Sequence, residues 1–517
     1  MNGSTPHWVI TLQLTPPSLS NNTADVDRLV DALKNKLHTD YIQVDHDLMQ
    51  VVPSLIRKCE YHLRCILFKD GPKWLLVGLT DGRSNRTVAG MAIDLGTSRV
   101  VMRLLDLATE SVLGEVAFDN PQIAVGPDVL ARIHYADCAE ARVHLKQLII
   151  DAVNVHIDRL CRQCGLVSSD VFLLSVAGNT AVTHLFLGLD SRSIIREPYI
   201  PVVNRPGVQR AGALGLCTFS GACVLVFPNI GSYFGGDLVA GILSSGLYQQ
   251  DETSILVDVG TNAEFVVGNR DWLMACAGVA GPALEGGVSR MGMMAGPGVI
   301  ERVRINIDTD TWVLDTIDDA PPVGICGSGM IDLASQLFLA GMLDIRGKLV
   351  ESVCADRLEM KNGLYRLIVI PESASATGQA LTISQADIDS LIRSKAAMYT
   401  ILETITRHVG IAFSELNTFY IAGTFGSFID AIAAITIGMI PDLPLSAYQS
   451  LGNSSLEGAT MALLSVAAVD EIDRIRDRIT YMELNVNSEF MNRFSAAKFL
   501  PHTYHTHFPS VIMPGHG

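Results

Sequence analysis

The sequence predicts a duplicated α/β fold, with two lobes opened by the same strand–turn–strand–strand unit behind a smaller α/β module. Three observations carry this. Met91-Ala-Ile-Asp-Leu-Gly-Thr-Ser98 runs an apolar strand into Asp-x-Gly-Thr. Ile255-Leu-Val-Asp-Val-Gly-Thr-Asn262 repeats it, with Asp258 standing 164 residues beyond Asp94, too long a period for a solenoid and about the length of a domain. The 517 residues are 48% apolar and only 18% charged, which is material for several packed domains and little for disordered tails.

In chain order, Trp8 to Thr15 alternates like a strand and is ended by Pro16 and Pro17. Asp25 to Leu37 has helical spacing through Val26, Leu29, Val30, Leu33 and Leu37. Residues 38–88 read as a compact α/β stretch with a helix over Pro53 to Cys59. Its strands are expected over Cys65 to Phe68 and Trp74 to Leu79, closing at the Asp81-Gly82 turn. After the first Asp-x-Gly-Thr come strands Val100 to Leu107 and Val112 to Phe118. A helix from about Glu140 to Gly165 repeats Leu145, Ile149, Val153 and Ile157 four apart. After the second come strands Phe265 to Val267 and Trp272 to Ala277. The expected division is 1–37 linker, 38–88 middle domain, 89–251 first lobe, 252–490 second lobe and 491–517 tail.

The turn residues suit phosphate chemistry. Gly96 and Gly260 let backbone N–H groups approach a ligand with no Cβ in the way. Thr97 and Thr261 supply hydroxyls for phosphate oxygens. Asp94 and Asp258 end their strands as carboxylates suited to a hydrated Mg²⁺. Two such hairpins facing one another would grip a triphosphate from opposite sides. Each alone would equally serve as an ordinary hairpin turn. Gly327-Ser-Gly329 leads into a helix, and Phe419 to Ala422 is a strand running into Gly423-Thr-Phe-Gly426, with a helix expected from near Ser427. Helix starts of this kind favour anions, and close helix–strand packing is the competing reason for the glycines.

Other classes are excluded. The only Gly-Lys, Gly347-Lys348, is followed by Leu349, so there is no P-loop, and no glycine run has dinucleotide-fold spacing. A net charge of −16 argues against nucleic acid and anionic membrane surfaces. The longest uncharged run, Ala211 to Gly236, holds six glycines and a proline, and reads as a buried strand followed by a loop. No basic region followed by an apolar stretch opens the chain, which makes a cytoplasmic protein the expectation. The ten cysteines show no zinc or ferredoxin spacing. Cys161-x-x-Cys164 falls within the helix, where core or surface thiols compete with a redox or metal role. The histidines His502, His505, His507 and His516 are read as incidental to a short tail, with a metal site as the alternative.

With both hairpins in hand, the pattern resembles the superfamily of actin, sugar kinases and heat-shock-chaperone ATPases, and hence its duplicated RNase H-like fold. Asp94 to Ser98 and Asp258 to Asn262 match its phosphate motifs and Gly423 to Gly426 its adenosine motif. Ala177 to Gly188 and Gly327 to Asp332 fall where its hinge segments are expected. More narrowly, five strings resemble the reductive activators of corrinoid proteins. They are Asn120-Pro-Gln, Gly126-Pro-Asp-Val-Leu-Ala-Arg132, Gly235-Gly-Asp237, Gly281-Pro-Ala-Leu-Glu285-Gly-Gly and Gly324-Ile-Cys-Gly-Ser-Gly.

That resemblance implies ATP and Mg²⁺ as ligands, a corrinoid protein as partner, and return of its Co(II) cobalamin to Co(I) coupled to ATP hydrolysis. Asp94 and Asp258 would position Mg²⁺ through water together with the attacking water. Gly96, Thr97, Ser98, Gly260, Thr261 and Asn262 would hold phosphates, and Gly327, Ser328, Gly423, Thr424, Phe425 and Gly426 the rest of the nucleotide. Glu264 and Asp237 are the candidate general bases, with a structural carboxylate the competing reading of each. Glu285 would sit near ribose, unless its glycines serve loop mobility. The chain begins where the family's linker would, so no iron–sulfur cluster is expected in it. Either a separate low-potential iron–sulfur protein is the electron donor or this member uses ATP without carrying electrons, and a homodimer through the middle domain is implied. Two rivals share the fold: a small-molecule kinase, and a nucleotide-gated scaffold with little turnover.

Overall fold

A computed structural model describes residues 7–260, 263–278, 289, 291–306, 309, 311–361, 364–423, 429–482 and 490–513. The chain forms two units. One holds the residues up to Ser244 together with Ser454–Arg478; the other holds Ser245–Asn453 and the residues from Ile479.

The first unit opens with a four-stranded sheet of β1 (Val9–Gln13), β2 (Ile42–Val44), β3 (His62–Asp70) and β4 (Lys73–Asp81), in the order β1-β3-β4-β2. Trp8 lies in its core, stacked on Phe68 at 4.8 Å and edge-on to Trp74 at 6.1 Å. Helix Asp25–Leu37 has the predicted bounds, with acids in its first turn, lysines in its last and His38 in the left-handed conformation ending it.

Three expectations here need correction. The second helix is His46–Lys58, with Pro53 inside it. Proline reads as a helix start because its missing N–H costs nothing in the first turn. Burial of Leu48, Val52 and Ile56, spaced four apart, sets the true start and carries the helix through Pro53. Strands β3 and β4 overrun their predicted ends and are joined at Gly71, whose φ of +59° makes the turn, and β4 closes at the expected Asp81-Gly82 turn. A boundary at residue 37 would also cut a sheet, since β1 is hydrogen-bonded to β3.

A six-stranded sheet follows, built of β5 (Ala89–Leu95), β6 (Arg99–Asp106), β7 (Ser111–Asp119), β8 (Val171–Gly178), β9 (Gly207–Arg210) and β10 (Cys223–Val226), in the order β7-β6-β5-β8-β10-β9. Strands β5, β6 and β7 form an antiparallel meander, and β8 and β10 run parallel to β5. Helix Ala139–Gln163 buries Ile149, Val153 and Ile157 on this sheet, with Cys161 in the same core, while Leu145 is buried with Ala136 and Leu185. The uncharged run from Ala211 begins as a short helix, Ala211–Leu214, before β10.

The second unit repeats the plan. Its main sheet holds β11 (Ser254–Val259), β12 (Ala263–Gly268) and β13 (Leu273–Gly278). Two small sheets follow, β14 (Val299–Asn306) with β15 (Thr311–Thr316) and β16 (Gly324–Ile325), then β17 (Leu358–Lys361) with β18 (Leu364–Ile370) and β19 (Leu381–Ser384). The main sheet is completed by β20 (Phe419–Ala422), β21 (Tyr448–Gly452) and β22 (Ile479–Tyr481), in the order β21-β20-β11-β12-β13-β22. Counting from the strand that carries the aspartate, both sheets run third, second, first, fourth, fifth, and each adds one further edge strand. The duplication is therefore one of topology as well as motif.

Helices Ser454–Leu464 and Val466–Arg478 interrupt the predicted second lobe, because they pack in the first unit. Gly458 makes this packing close: a Cβ there would lie 2.1 Å from the Ala240 carbonyl oxygen on helix Gly236–Ser245. The expected hinge segments, Ala177–Gly188 and Gly327–Asp332, each lie within a single unit. The chain passes between units at Ser244/Ser245, Asn453/Ser454 and Arg478/Ile479 instead. The residues after Phe490 are not a loose tail where described. Lys395, on helix Gln385–His408, donates to the carbonyls of Phe499 and Pro501 at 2.6 Å each, and Leu500, His502 and Phe508 are buried. No helix among the described residues is long and apolar enough to cross a membrane.

Candidate functional site

The first hairpin is braced from four directions. Asp94, penultimate in β5, lies opposite Val101 and beside Ala177 of β8. Its Oδ1 accepts the Ser455 hydroxyl at 2.8 Å. At Gly96 the chain turns so tightly that a Cβ would stand 2.3 Å from the Arg99 carbonyl oxygen, so no other residue fits. Asn120, only 1% exposed, donates its amide to the Gly96 carbonyl at 2.9 Å and its backbone N–H to Ser98 at 2.8 Å. Asn179 caps helix Thr180–Leu187 by accepting from Val182, and turns its amide to the Thr97 hydroxyl at 2.9 Å. With Thr97 Oγ1 accepting there, its hydrogen can point to a phosphate oxygen.

Asp237 joins the same neighbourhood. It stands in the first turn of helix Gly236–Ser245 and accepts from the Leu238 N–H at 2.9 Å. Gly235 is wedged between it and β8: a Cβ there would be 2.3 Å from Asn179 Cα and 2.6 Å from Asp237 Oδ1. The structure thus gathers Asp94, Gly96, Thr97, Ser98 and Asp237 around the carboxyl ends of β5 and β8.

In the second unit Asp258 and Glu264 are directly opposed across the β11–β12 hairpin, with Gly260 at the turn. Gly423, with φ +85°, ends β20 beside them; a Cβ would lie 2.7 Å from Asp258 Oδ1 and 2.5 Å from the Val259 carbonyl oxygen. Thr261, Asn262, Glu285, Thr424, Phe425 and Gly426 lie outside the described residues, as does the helix start expected near Ser427. Gly327 and Ser328 begin helix Gly327–Leu339 as buried residues. Ser328 Oγ is 3.1 Å from Cys326 Sγ, and Gly329 fits against the Ile300 carbonyl of β14, where a Cβ would come within 2.4 Å. Close helix–strand packing accounts for that third glycine.

Both hairpins offer hard oxygen donors and close backbone, a donor set that takes divalent magnesium and phosphate rather than soft metals. Sequence reasoning missed how the first is held. Asn120 carries a signal only as part of a family-like string, Asn179 falls in an expected hinge segment, and Ser455 belongs to no expected site motif. The Ser-x-x-Glu pattern of Ser454 and Glu457 marks a helix start. Nothing local points that helix at Asp94, 361 residues away.

Three family profiles match in succession: the RACo linker region over residues 4–86, the RACo middle region over 89–250, and the C-terminal domain of RACo, the ASKHA domain, over 252–512. The chain belongs to the RACo family. The second unit's main sheet falls in the match to that family's ASKHA domain, of actin-like, sugar-kinase-like fold, and the first unit's sheet falls in the match to its middle region, which is therefore 89–250 and not the expected 38–88. Among curated RACo relatives, the corrinoid activation enzyme RamQ of Eubacterium limosum is 28% identical over 470 residues, 86% of this chain and 78% of that protein. The [Co(II) methylated amine-specific corrinoid protein] reductase of Methanosarcina barkeri is 26% identical over 436 residues, 78% of this chain and 75% of that protein. A solved structure of a reductive activator for corrinoid, iron–sulfur protein superposes with a TM-score of 0.88 at 35% identity, covering 99% of this chain and 82% of that one.

Proposed function

We propose that this RACo-family chain is an ATP-dependent activator of a corrinoid protein. It binds a magnesium nucleotide through both Asp-x-Gly-Thr hairpins, hydrolyses ATP to ADP and phosphate, and couples that to one-electron reduction of the partner's Co(II) cobalamin to Co(I). The electron comes from a separate low-potential iron–sulfur protein. The observation that carries the reading is the repeat of one acidic hairpin on two sheets of matching strand order, in a chain whose relatives are named as a corrinoid activation enzyme and a Co(II) corrinoid protein reductase.

Asp94 and Asp258 hold Mg²⁺ through water, and the metal supplies charge neutralisation to the phosphates. Gly96, Thr97, Ser98 and Gly260 present N–H and hydroxyl donors to phosphate oxygens, and Thr261 and Asn262 are further phosphate-binding candidates. Gly423 and its successors take the adenosine end. Glu264 and Asp237 are the candidate general bases for water.

The test is incubation with ATP, a low-potential reductant and a Co(II) corrinoid protein, with cobalt oxidation state followed by absorbance. ATP-dependent appearance of Co(I) with wild type and its loss in Asp258→Ala supports the reading. Identical traces overturn it. A phosphorylated small molecule formed in step with ADP would instead establish a kinase, and binding without turnover a scaffold.

A further inference from the structure

We propose that Ser455 is a positioning residue for the first hairpin: it fixes the Asp94 carboxylate for magnesium and ties occupancy of that hairpin to helix Ser454–Leu464. This rests on the nucleotide reading above. Ser455 is 6% exposed, and its hydroxyl donates to Asp94 Oδ1 at 2.8 Å. The bond is not a helix cap, because Ser455 is the second residue of its helix and its hydroxyl is engaged outside it.

Two restraints away from Ser455 set the helix at this register. Arg103 of β6, two residues beyond the cross-strand partner of Asp94, donates to Glu457 at 2.7 Å and to Thr460 at 3.2 Å. One turn along, Gly458 seats directly on the Ala240 backbone. The arrangement holds the serine at the carboxylate without relying on the bond between them. A buried donor on a carboxylate removes rotamer freedom before the ligand arrives. A metal that engages Asp94 therefore finds it already oriented, and any shift of that oxygen is felt at Ser455, two residues past the point where the chain enters this unit from the other.

The experiment is calorimetric titration of the full chain with ADP, in EDTA and over a magnesium series, for wild type, Ser455→Ala and Ser455→Thr. A hydrogen bond to a charged group is worth about tenfold or more in affinity. We expect Ser455→Ala to weaken magnesium–ADP binding by about that factor, to leave binding in EDTA unchanged, and to be rescued by threonine to within about threefold. Equal weakening in EDTA and in magnesium would show a merely structural role, and parity of Ser455→Ala with wild type would show none; either overturns the inference and leaves the nucleotide reading standing. If wild type shows no magnesium-dependent binding, both fall together.

Discussion

Asp258 and Glu264 face each other as direct cross-strand partners at the mouth of the β11–β12 hairpin, two carboxylates on one face of the sheet. Like charges so placed cost about 0.2–1 kcal/mol, which a bound cation would relieve. Glu264→Gln should therefore raise the melting temperature without metal yet shrink the stabilisation given by magnesium–ADP. Thermal melts of both proteins with and without that ligand check the opposite signs.

Gly423 leaves no room for a side chain beside Asp258. Gly423→Ala combines a φ of +85° with a contact 2.7 Å from the carboxylate and 2.5 Å from a backbone carbonyl. Overpacking of this kind costs about 1–3 kcal/mol. Nucleotide affinity should fall further than that loss of stability explains, because the displaced atom belongs to the site. Urea unfolding alongside ADP titration separates the two effects.

Asn120 carries the Gly96 turn on buried hydrogen bonds. Asn120→Ala strands the Gly96 carbonyl and the Gln122 N–H, at about 1–3 kcal/mol. Asn120→Asp keeps an acceptor for Gln122 but sets an oxygen against the Gly96 carbonyl, so it should bind nucleotide more weakly than alanine does. Unfolding midpoints and ADP affinities of the two variants decide this.

Burial pushes the Cys161 thiol up to about 11, helped by the nearby Asp170. Few thiolates form there near neutrality, and Cys161 should resist alkylation while the exposed Cys138 and Cys217 react. Mass spectrometry after brief iodoacetamide treatment of the folded chain reads the difference. Rapid labelling of Cys161 would revive a redox role for the Cys-x-x-Cys pair.

His502 is 1% exposed, and burial, with the Lys395 and His507 charges beside it, lowers its pKa to about 4. The folded chain thus keeps this ring neutral where an unfolded chain, titrating near 6.5, would already bind a proton. Stability from this residue is complete above about pH 6.5 and is lost as pH falls from there toward 4, by up to about 3 kcal/mol. Melts across that window should slope less for His502→Phe than for wild type.

The duplicated plan was legible because its signal is local: an apolar strand, an aspartate and a glycine turn within eight residues, written twice. The helix Ala139–Gln163 was legible for the same reason, its buried positions repeating every fourth residue. What holds the first hairpin was not. Asn120, Asn179 and Ser455 reach their partners across 24, 82 and 361 residues, and an amide or hydroxyl carries no periodic pattern that announces so distant a contact. Pro53 misled in the other direction, a strong local signal overruled by the apolar face it interrupts.

The assignment of Ser454–Arg478 to the first unit also bears on biosynthesis. A ribosome must make residues 245–453 before the segment that completes the earlier unit emerges, so that unit waits, unfinished, while most of the later one is translated. Cutting the gene at residue 244 would release a fragment without its closing helices, whereas a fusion of 1–244 to 454–478 by a short linker has the pieces needed to stand alone.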